Sequence, residues 1–266
     1  MAPSIRQLEL QHLKKMRSTI KRTLLSAVKI ALPIAFWLLV WQSLALIVNR
    51  SFLIPTVTET FLALIDVLSA KNFLKVVLLT LARILAGLLI GTAAGILLSF
   101  LSYKFKVVNL FLSPLITVIK STPVATFIVI LWIMLSANVL TVVVAFLMVM
   151  PIIWQNLMDG YKAIDKDLEE VCDVFELSFL TRVRVLIIPT LMRYLIPAAI
   201  TATGLAWKAE IAAEIIAYTK NSIGQQINDA KYFFETPMVF AWTFVIIIMS
   251  ITLEKLTKYL LGRFKV

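Results

Sequence analysis

Long apolar runs constrain this chain more than any other feature of its sequence. A helix needs about 20 apolar residues to cross the roughly 30 Å hydrocarbon core of a bilayer. The 266-residue chain carries five plain runs close to or above that length: 24–48, 73–101, 139–154, 186–217 and 238–260. A sixth run, 107–135, is interrupted by the polar sequence KSTP at 120–123. We therefore expect an all-α polytopic membrane protein with about six transmembrane helices.

The amino-acid composition agrees with this class and excludes several others. Hydrophobic residues make up 61% of the chain and charged residues only 15%, whereas about a quarter of a typical soluble domain is charged. The single cysteine, Cys172, cannot form an intramolecular disulfide. The single histidine, His12, excludes a His-rich metal or proton-relay cluster. We therefore expect neither a metal site nor a cofactor.

The formal net charge of +11 reflects topology rather than nucleic-acid binding. Basic residues crowd the ends of the apolar runs and do not alternate with stacking aromatic side chains, as they do on nucleic-acid surfaces. They fall in three segments on one side of a six-span chain: Arg6, Lys14, Lys15, Arg17, Lys21 and Arg22; Lys104 and Lys106; Lys255, Lys258, Arg263 and Lys265. Basic loops face the cytoplasm, so we expect both termini there.

The N-terminal arm, residues 1–23, places apolar residues at helical spacing among its cations. An amphipathic basic helix of this kind lies along the anionic inner leaflet. We therefore predict a cytoplasmic amphipathic arm at 1–23 and a transmembrane domain at 24–266.

Three glycines lie four residues apart in the second run, at Gly87, Gly91 and Gly95. Small residues at this spacing share one helical face and let a second helix approach closely in lipid. The pattern indicates a helix interface, whose partner lies either within the chain or across a dimer.

One soluble-looking segment, at about 160–185, interrupts the apolar pattern. From Ile164 onward, apolar residues recur at helical spacing while the opposite face carries Asp and Glu. The sequence ELS (176–178) breaks this helix, and Ser178 is a good N-cap for a second one. We expect a helical hairpin that protrudes into the cytoplasm; an ordinary solvated loop is the alternative.

This hairpin resembles the EAA loop of the permease subunits of ATP-binding-cassette (ABC) importers, which has E-A-A, three residues, G, nine residues and then I-x-L-P. Aligned on the final proline, the motif falls on Glu170, Val171, Cys172, Glu176, Leu186, Ile188 and Pro189. The spacing matches throughout. Glu176 stands where the family usually has a glycine, the residue that best tolerates a left-handed turn.

Other stretches resemble the nitrate, sulfonate, taurine and bicarbonate branch of that family, in order, along roughly 52–260. They are FLIPTVTET (52–60), KSTP (120–123), AWKAEIAAE (206–214), SIG (222–224) and YFFETPMVFA (232–241). The resemblance implies a multi-pass protein of the bacterial inner membrane that works as a homodimer with ABC ATPase subunits and an extracytoplasmic substrate-binding protein. It also implies that the hairpin docks on the ATPase through Glu170, Phe175, Glu176, Leu177 and Ser178.

The chain lacks the G-x-x-x-x-G-K-[ST] sequence that cradles nucleotide phosphates. We therefore expect a permease that is not itself an enzyme, with ATP hydrolysis in a partner subunit. A self-contained secondary transporter is the competing class; inverted repeats between the two halves would favour it, and none is evident. A membrane-embedded enzyme would need a constellation of His, Asp or Ser side chains that this chain does not offer.

Polar residues inside apolar runs are candidates for a translocation path, because charges in a membrane are costly and usually functional. They are Lys120, Pro123, Trp207, Lys208, Glu210 and Glu214. Trp207, Glu210 and Glu214 share one helical face, and two carboxylates four residues apart need a cation, a shared proton or water. Lys120 and Lys208 are the candidate cations, and exposure to outer solvent is the alternative. Two acids on the path would favour neutral, zwitterionic or aromatic cargo over simple anions.

The predicted topology is testable by cysteine labelling in sealed cells. An impermeant thiol reagent is expected to modify Ser69→Cys from outside and Lys166→Cys only after the membrane is opened, because the basic loops place residue 166 in the cytoplasm. Labelling of Lys166→Cys in sealed cells would contradict the six-span arrangement.

Overall fold

A computed structural model describes residues 28–29 and 31–263 of the chain. The predicted N-terminal arm lies outside these described residues. The part that the structure describes contains helices and no strand. In chain order the helices are α1 (Ala31–Val48), α2 (Val57–Ser69), α3 (Phe73–Lys104), α4 (Lys106–Ser121), α5 (Val124–Met134), α6 (Ala137–Lys162), α7 (Lys166–Val174), α8 (Phe179–Arg182), α9 (Ile188–Ile216), α10 (Ile223–Tyr232) and α11 (Thr236–Leu261).

Five segments are long and apolar enough to cross a membrane: α1, α3, α6, the segment Phe179–Ile216 that ends in α9, and α11. The prediction of an all-α polytopic membrane protein is confirmed. The π-helical turn Val183–Ile187 joins α8 to α9, so the hairpin continues into the fifth span without a loop. The fourth span is longer than predicted, since α6 extends eight residues beyond Trp154 to Lys162.

The sixth candidate span is broken where the sequence KSTP predicts a break. Helices α4 and α5 meet at an angle of 104°. Thr122 is extended, with φ −81° and ψ 131°, because the ring of a following proline disfavours helical backbone in the residue before it. Pro123 then occupies the N-cap of α5.

The glycine face of α3 packs against α6 of the same chain. A Cβ added at Gly87 would lie 2.5 Å from Ala145 Cβ, and one added at Gly95 would lie 2.7 Å from Ile153 Cβ. Between them, a Cβ at Gly91 would lie 2.8 Å from Val149 Cβ. These distances are shorter than any ordinary carbon–carbon contact, so glycine is required at each position.

Helix α6 lies between α3 and α9 and forms the centre of the domain. Its residues Val149 and Ile153 are fully buried, as is Ala202 of α9. The same apolar cluster includes Ile164 and Cys172 of the hairpin. The hairpin is therefore packed onto the central helices rather than suspended in water.

On the opposite side of the membrane, α2 is held at its start by a capping box. Thr56 Oγ1 accepts from the Glu59 amide at 3.2 Å, and the Thr56 amide donates to Glu59 Oε2 at 2.7 Å. The Ser51 hydroxyl donates to Glu59 Oε1 at 2.6 Å. Hydrogen bonds from Ser51 and from the Thr56 amide lower the pKa of Glu59, so the carboxylate stays ionised as the pH falls.

Gly91→Ala is expected to destabilise the protein, because the added methyl group collides with α6; overpacking of this kind costs about 1–3 kcal/mol. Gly204→Ala is the matched control. It is also a helical glycine, but nothing lies within 4 Å of its added Cβ, so stability should be kept or slightly raised. Thermal unfolding of the two purified variants in detergent measures the difference; equal melting temperatures would contradict the close α3–α6 contact.

Candidate functional site

The hairpin predicted at about 160–185 begins with α7, whose first turn is capped and acidic. The Asp165 carboxylate accepts from the Asp167 amide at 2.9 Å, and Asp167 and Glu169 lie in the first turn, where the helix dipole favours negative charge. Cys172 is buried, whereas Leu168 and Val171 are half-exposed. Only one edge of the predicted apolar face therefore packs on the domain.

Helix α7 ends in a Schellman turn centred on Glu176. The Glu176 amide donates to the Asp173 carbonyl and the Leu177 amide to the Cys172 carbonyl, each at 3.0 Å. This pattern needs a left-handed residue after the C-cap, and Glu176 has φ +49°. Glu176 therefore makes the turn that glycine makes in the family motif, at a cost of about 1–2 kcal/mol for a residue with a Cβ.

The hairpin tip exposes large apolar side chains on both sides of this turn. Val174 is 80% exposed and Phe175 73% exposed, while across the turn Phe179 is 73% and Leu180 78% exposed. The Ser178 hydroxyl accepts from the Thr181 amide at 3.4 Å, which supports Ser178 as the N-cap of the second helix. An exposed apolar cluster of this kind makes the hairpin tip a candidate site of protein contact.

Of the other predicted hairpin contacts, Glu170 is exposed and Leu177 is half-buried. An ion pair between Arg182 of α8 and Asp173 of α7 closes the hairpin. The tip is thus an apolar patch flanked by acidic side chains.

A second candidate site lies near the outer end of α9, around the fully buried carboxylate of Glu214. Glu214 Oε1 accepts from Arg83 Nη1 at 3.0 Å and from Thr80 Oγ1 at 2.8 Å, both on α3. Glu214 Oε2 accepts from the Gly224 amide at 3.1 Å. The Ile223 amide in turn donates to Thr80 Oγ1 at 3.2 Å.

This arrangement follows from the start of α10. The first amides of a helix have no partner within the helix, and here Thr80 and Glu214 accept from two of them. Gly224 is required for the approach, since an added Cβ would lie 2.4 Å from Glu214 Cβ. We name Thr80, Arg83, Glu214 and Gly224 the outer cluster.

Arg83 is the cation that the sequence analysis missed. Its second nitrogen, Nη2, donates to Asn138 Oδ1 at 3.0 Å and to the Lys220 carbonyl at 3.1 Å. We expected Lys120 or Lys208 to neutralise the acids. This expectation is wrong for Glu214, because Glu214 forms its ion pair with Arg83. The sequence does carry a signal for Arg83, because it lies inside the apolar run of α3. Placing an arginine at that depth in a membrane costs as much free energy as placing an acid there.

Glu210 lies one helical turn before Glu214 and is also fully buried. Neither of its carboxyl oxygens has a hydrogen-bond partner among the described residues, and the same holds for the indole nitrogen of Trp207. The alternative that the two acids face outer solvent is therefore wrong. Trp207, Glu210 and Glu214 lie inside the protomer, and their role in a translocation path stays a prediction.

The lysines lie elsewhere. Lys120 is exposed and lines a cavity of about 230 Å³, together with Thr122 beside the α4–α5 break and Leu205 of α9. Lys208 is exposed three residues after Leu205, so it neighbours Leu205 on the helix surface. Pro123 sets the bend behind this cavity. The predicted path residues thus divide into a buried acidic group and an exposed basic group.

Comparison with known proteins assigns the chain to a family. The sequence profile of the binding-protein-dependent transport system inner membrane component matches residues 87–266, which include the hairpin, α9 and α10. The chain belongs to this family. It is the permease subunit of an ABC importer and a multi-pass protein of the inner membrane.

Similar proteins come from both bacteria and archaea. The putative aliphatic sulfonates transport permease protein SsuC of Bacillus subtilis is 23% identical over 205 residues, covering 76% of this chain and 74% of SsuC. The nitrate import permease protein NrtB of Synechococcus elongatus is 28% identical over 211 residues, covering 76% and 75%. A putative ABC transporter permease protein of Methanocaldococcus jannaschii is 22% identical over 242 residues, covering 87% and 88%.

Among solved structures, the crystal structure of an amino acid ABC transporter with histidines has a similar fold. The TM-score is 0.59 at 18% identity, over 72% of this chain and 93% of that one. The permease family works with ATPase and substrate-binding partners, so the apolar hairpin tip and the outer cluster belong to a chain that functions in an assembly.

Glu176→Gly is expected to stabilise the hairpin by about 1 kcal/mol, because it removes a side chain from a left-handed position. Glu176→Val is expected to destabilise it, since a β-branched residue is a genuine outlier at positive φ. Hydrogen exchange at the α7 amides measures both effects. Slower exchange in the valine variant than in the glycine variant would contradict the turn described here.

Proposed function

We propose that the chain forms half of a permease homodimer that carries a small anion, driven by an ABC ATPase that docks on the cytoplasmic hairpin. The observation that carries this proposal is the exposed apolar tip formed by Phe175, Phe179 and their neighbours on an otherwise acidic hairpin. Such a patch is costly in water and becomes favourable when a partner covers it.

The way the hairpin is attached supports a coupling role. The hairpin continues through a π-helical turn into α9, with no loop to absorb motion. Its buried side chains Ile164 and Cys172 also pack in the same cluster as α6. A displacement of the tip by the ATPase is therefore passed to α6 and α9 together.

A second copy would complete the wall of a pathway on the surface that carries Lys120. The cavity at Lys120 opens on the surface, and the neighbouring helix α5 exposes Ile133 (84%) and Met134 (75%). We propose that two copies face one another across this surface and that the substrate passes between them. Both termini lie in the cytoplasm in this arrangement.

An anionic substrate fits the distribution of charge. Glu214 is paired with Arg83 and Glu210 is buried, which removes the basis for expecting neutral cargo. The charged groups exposed on the α4 and α9 surfaces are all basic: Lys106, Lys120, Arg193 and Lys208. Relatives named for aliphatic sulfonates and for nitrate carry anions of this kind.

Phe175→Glu is expected to abolish co-purification of the ATPase and ATP-driven uptake, because it places a charge in the centre of the apolar tip. Phe233→Glu is the matched control: Phe233 is 75% exposed, and the proposed topology places it outside the membrane, so ATPase recovery should be unchanged. Normal ATPase recovery with Phe175→Glu would rule out the hairpin tip as the docking site.

Lys120→Gln is expected to lower uptake of nitrate or a simple sulfonate about tenfold, because a nearby unit charge contributes on the order of 1–4 kcal/mol to an anion. Lys71→Gln, an exposed lysine far from the cavity in sequence, is the control. Uptake assays with the assembled importer and its binding protein measure both. Undiminished anion uptake by Lys120→Gln, or uptake of neutral ligands alone by the native protein, would contradict anionic cargo.

A further inference from the structure

Glu210 is a buried carboxyl group that nothing in the proposed transport mechanism uses. Its side chain is fully buried, and neither oxygen accepts a hydrogen bond from a donor among the described residues. The Glu214 carboxylate is near enough to accept a hydrogen bond from Glu210 when Glu210 carries a proton. Its helical neighbours Trp207 and Ile211 pack in an apolar cluster with residues of α3 and α11. An ionised carboxylate in such surroundings has lost its hydration and gained nothing in return.

Two charged groups act on Glu210 in opposite directions, since Glu214 on its own helix repels its ionised form and Arg83 on α3 attracts it. Arg83 is already paired with Glu214 at 3.0 Å, so an ionised Glu210 would add a second negative charge to a neutral pair. Carboxylates held four residues apart on a helix repel one another, and burial strengthens the repulsion.

A bound metal ion is a poorer solution than a proton. Hard cations such as Ca²⁺ take six or more oxygen ligands, and no group of three or more Asp, Glu, His or Cys side chains comes together in residues 28–29 and 31–263. A proton needs no coordination shell. Protonating a glutamate at pH 7 is disfavoured about 500-fold in water, whereas burying an unpaired carboxylate is disfavoured more strongly than that.

We propose that Glu210 is a proton-binding site inside the membrane domain, held as a neutral carboxylic acid beside the Arg83–Glu214 ion pair. The outer cluster and Glu210 then carry no net charge together. Ionisation would leave one uncompensated negative charge at the place where α9 meets α3. Proton binding therefore stabilises the described packing of these helices.

Protonation of Glu210 sets the direction of a pH effect. The neutral acid favours the described conformation, so its contribution is complete below the pKa of an exposed glutamate, about 4.3. The contribution declines as the pH rises above that value and is lost once Glu210 ionises in the folded protein. Any conformation that admits water to this part of α9 would favour release of the proton. The site thus links proton binding to the conformation of α9.

Infrared spectroscopy of the purified full-length chain in nanodiscs tests the proposal directly. The native protein at pH 7 is expected to show the C=O stretch of a protonated carboxylic acid in a dry environment. This band should be absent in Glu210→Gln and retained in Glu235→Gln, which removes an exposed carboxylate. Absence of the band in the native protein at pH 7, or its persistence in Glu210→Gln, would overturn the assignment.

Thermal unfolding provides a second readout that does not depend on transport. Glu210→Gln is expected to fold with nearly the native melting temperature at pH 7, because an amide resembles the neutral acid in size and charge. The native melting temperature should fall more steeply than that of Glu210→Gln as the pH is raised. Parallel pH profiles would overturn the proposal. The infrared band of the native protein decides the matter even if the variant fails to fold.

Discussion

The carboxylate of Glu214 is the interaction on which the outer half of the domain depends. It accepts from Arg83 and Thr80 of α3 and from the first turn of α10. In a bilayer no water is available to replace any of these donors. Removing the carboxylate would leave a largely buried guanidinium and helix-terminal amides without partners, and breaking a buried pair in this way costs about 3–5 kcal/mol. One side chain thus joins three helices.

The structure keeps its two kinds of charge apart. The two acids of α9, Glu210 and Glu214, are turned inward, where Arg83 neutralises Glu214, and Lys120 and Lys208 are turned outward. The sequence places Glu210, Glu214 and Lys208 within seven residues, and only the helical geometry of α9 separates them. For this reason a count of charges along the chain is a poor guide to the charge of the surface.

Much of the fold could be predicted from the sequence because the thickness of the membrane sets the minimum length of each spanning helix. Five apolar runs, the break at KSTP and the cap at Ser178 are local signals, and each is present in the structure. Arg83 could not be placed in this way, since its partner Glu214 is 131 positions away and only tertiary packing brings them together. The turn at Glu176 was difficult for a different reason: its sequence lacks the expected glycine, and the hydrogen bonds that hold it are made by the backbone.

The three glycine contacts between α3 and α6 also determine how the domain can move. Gly87 and Gly95 are eight residues apart, so the contacts extend over about 12 Å of helix. Sliding one helix along the other would drive a side chain of α6 into the ridge between two glycines, which opposes shear at this interface. We therefore expect α3 and α6 to move together as one rigid unit. We expect any switching of the permease between inward and outward access to bend the domain elsewhere, for example at the sharp joint between α4 and α5.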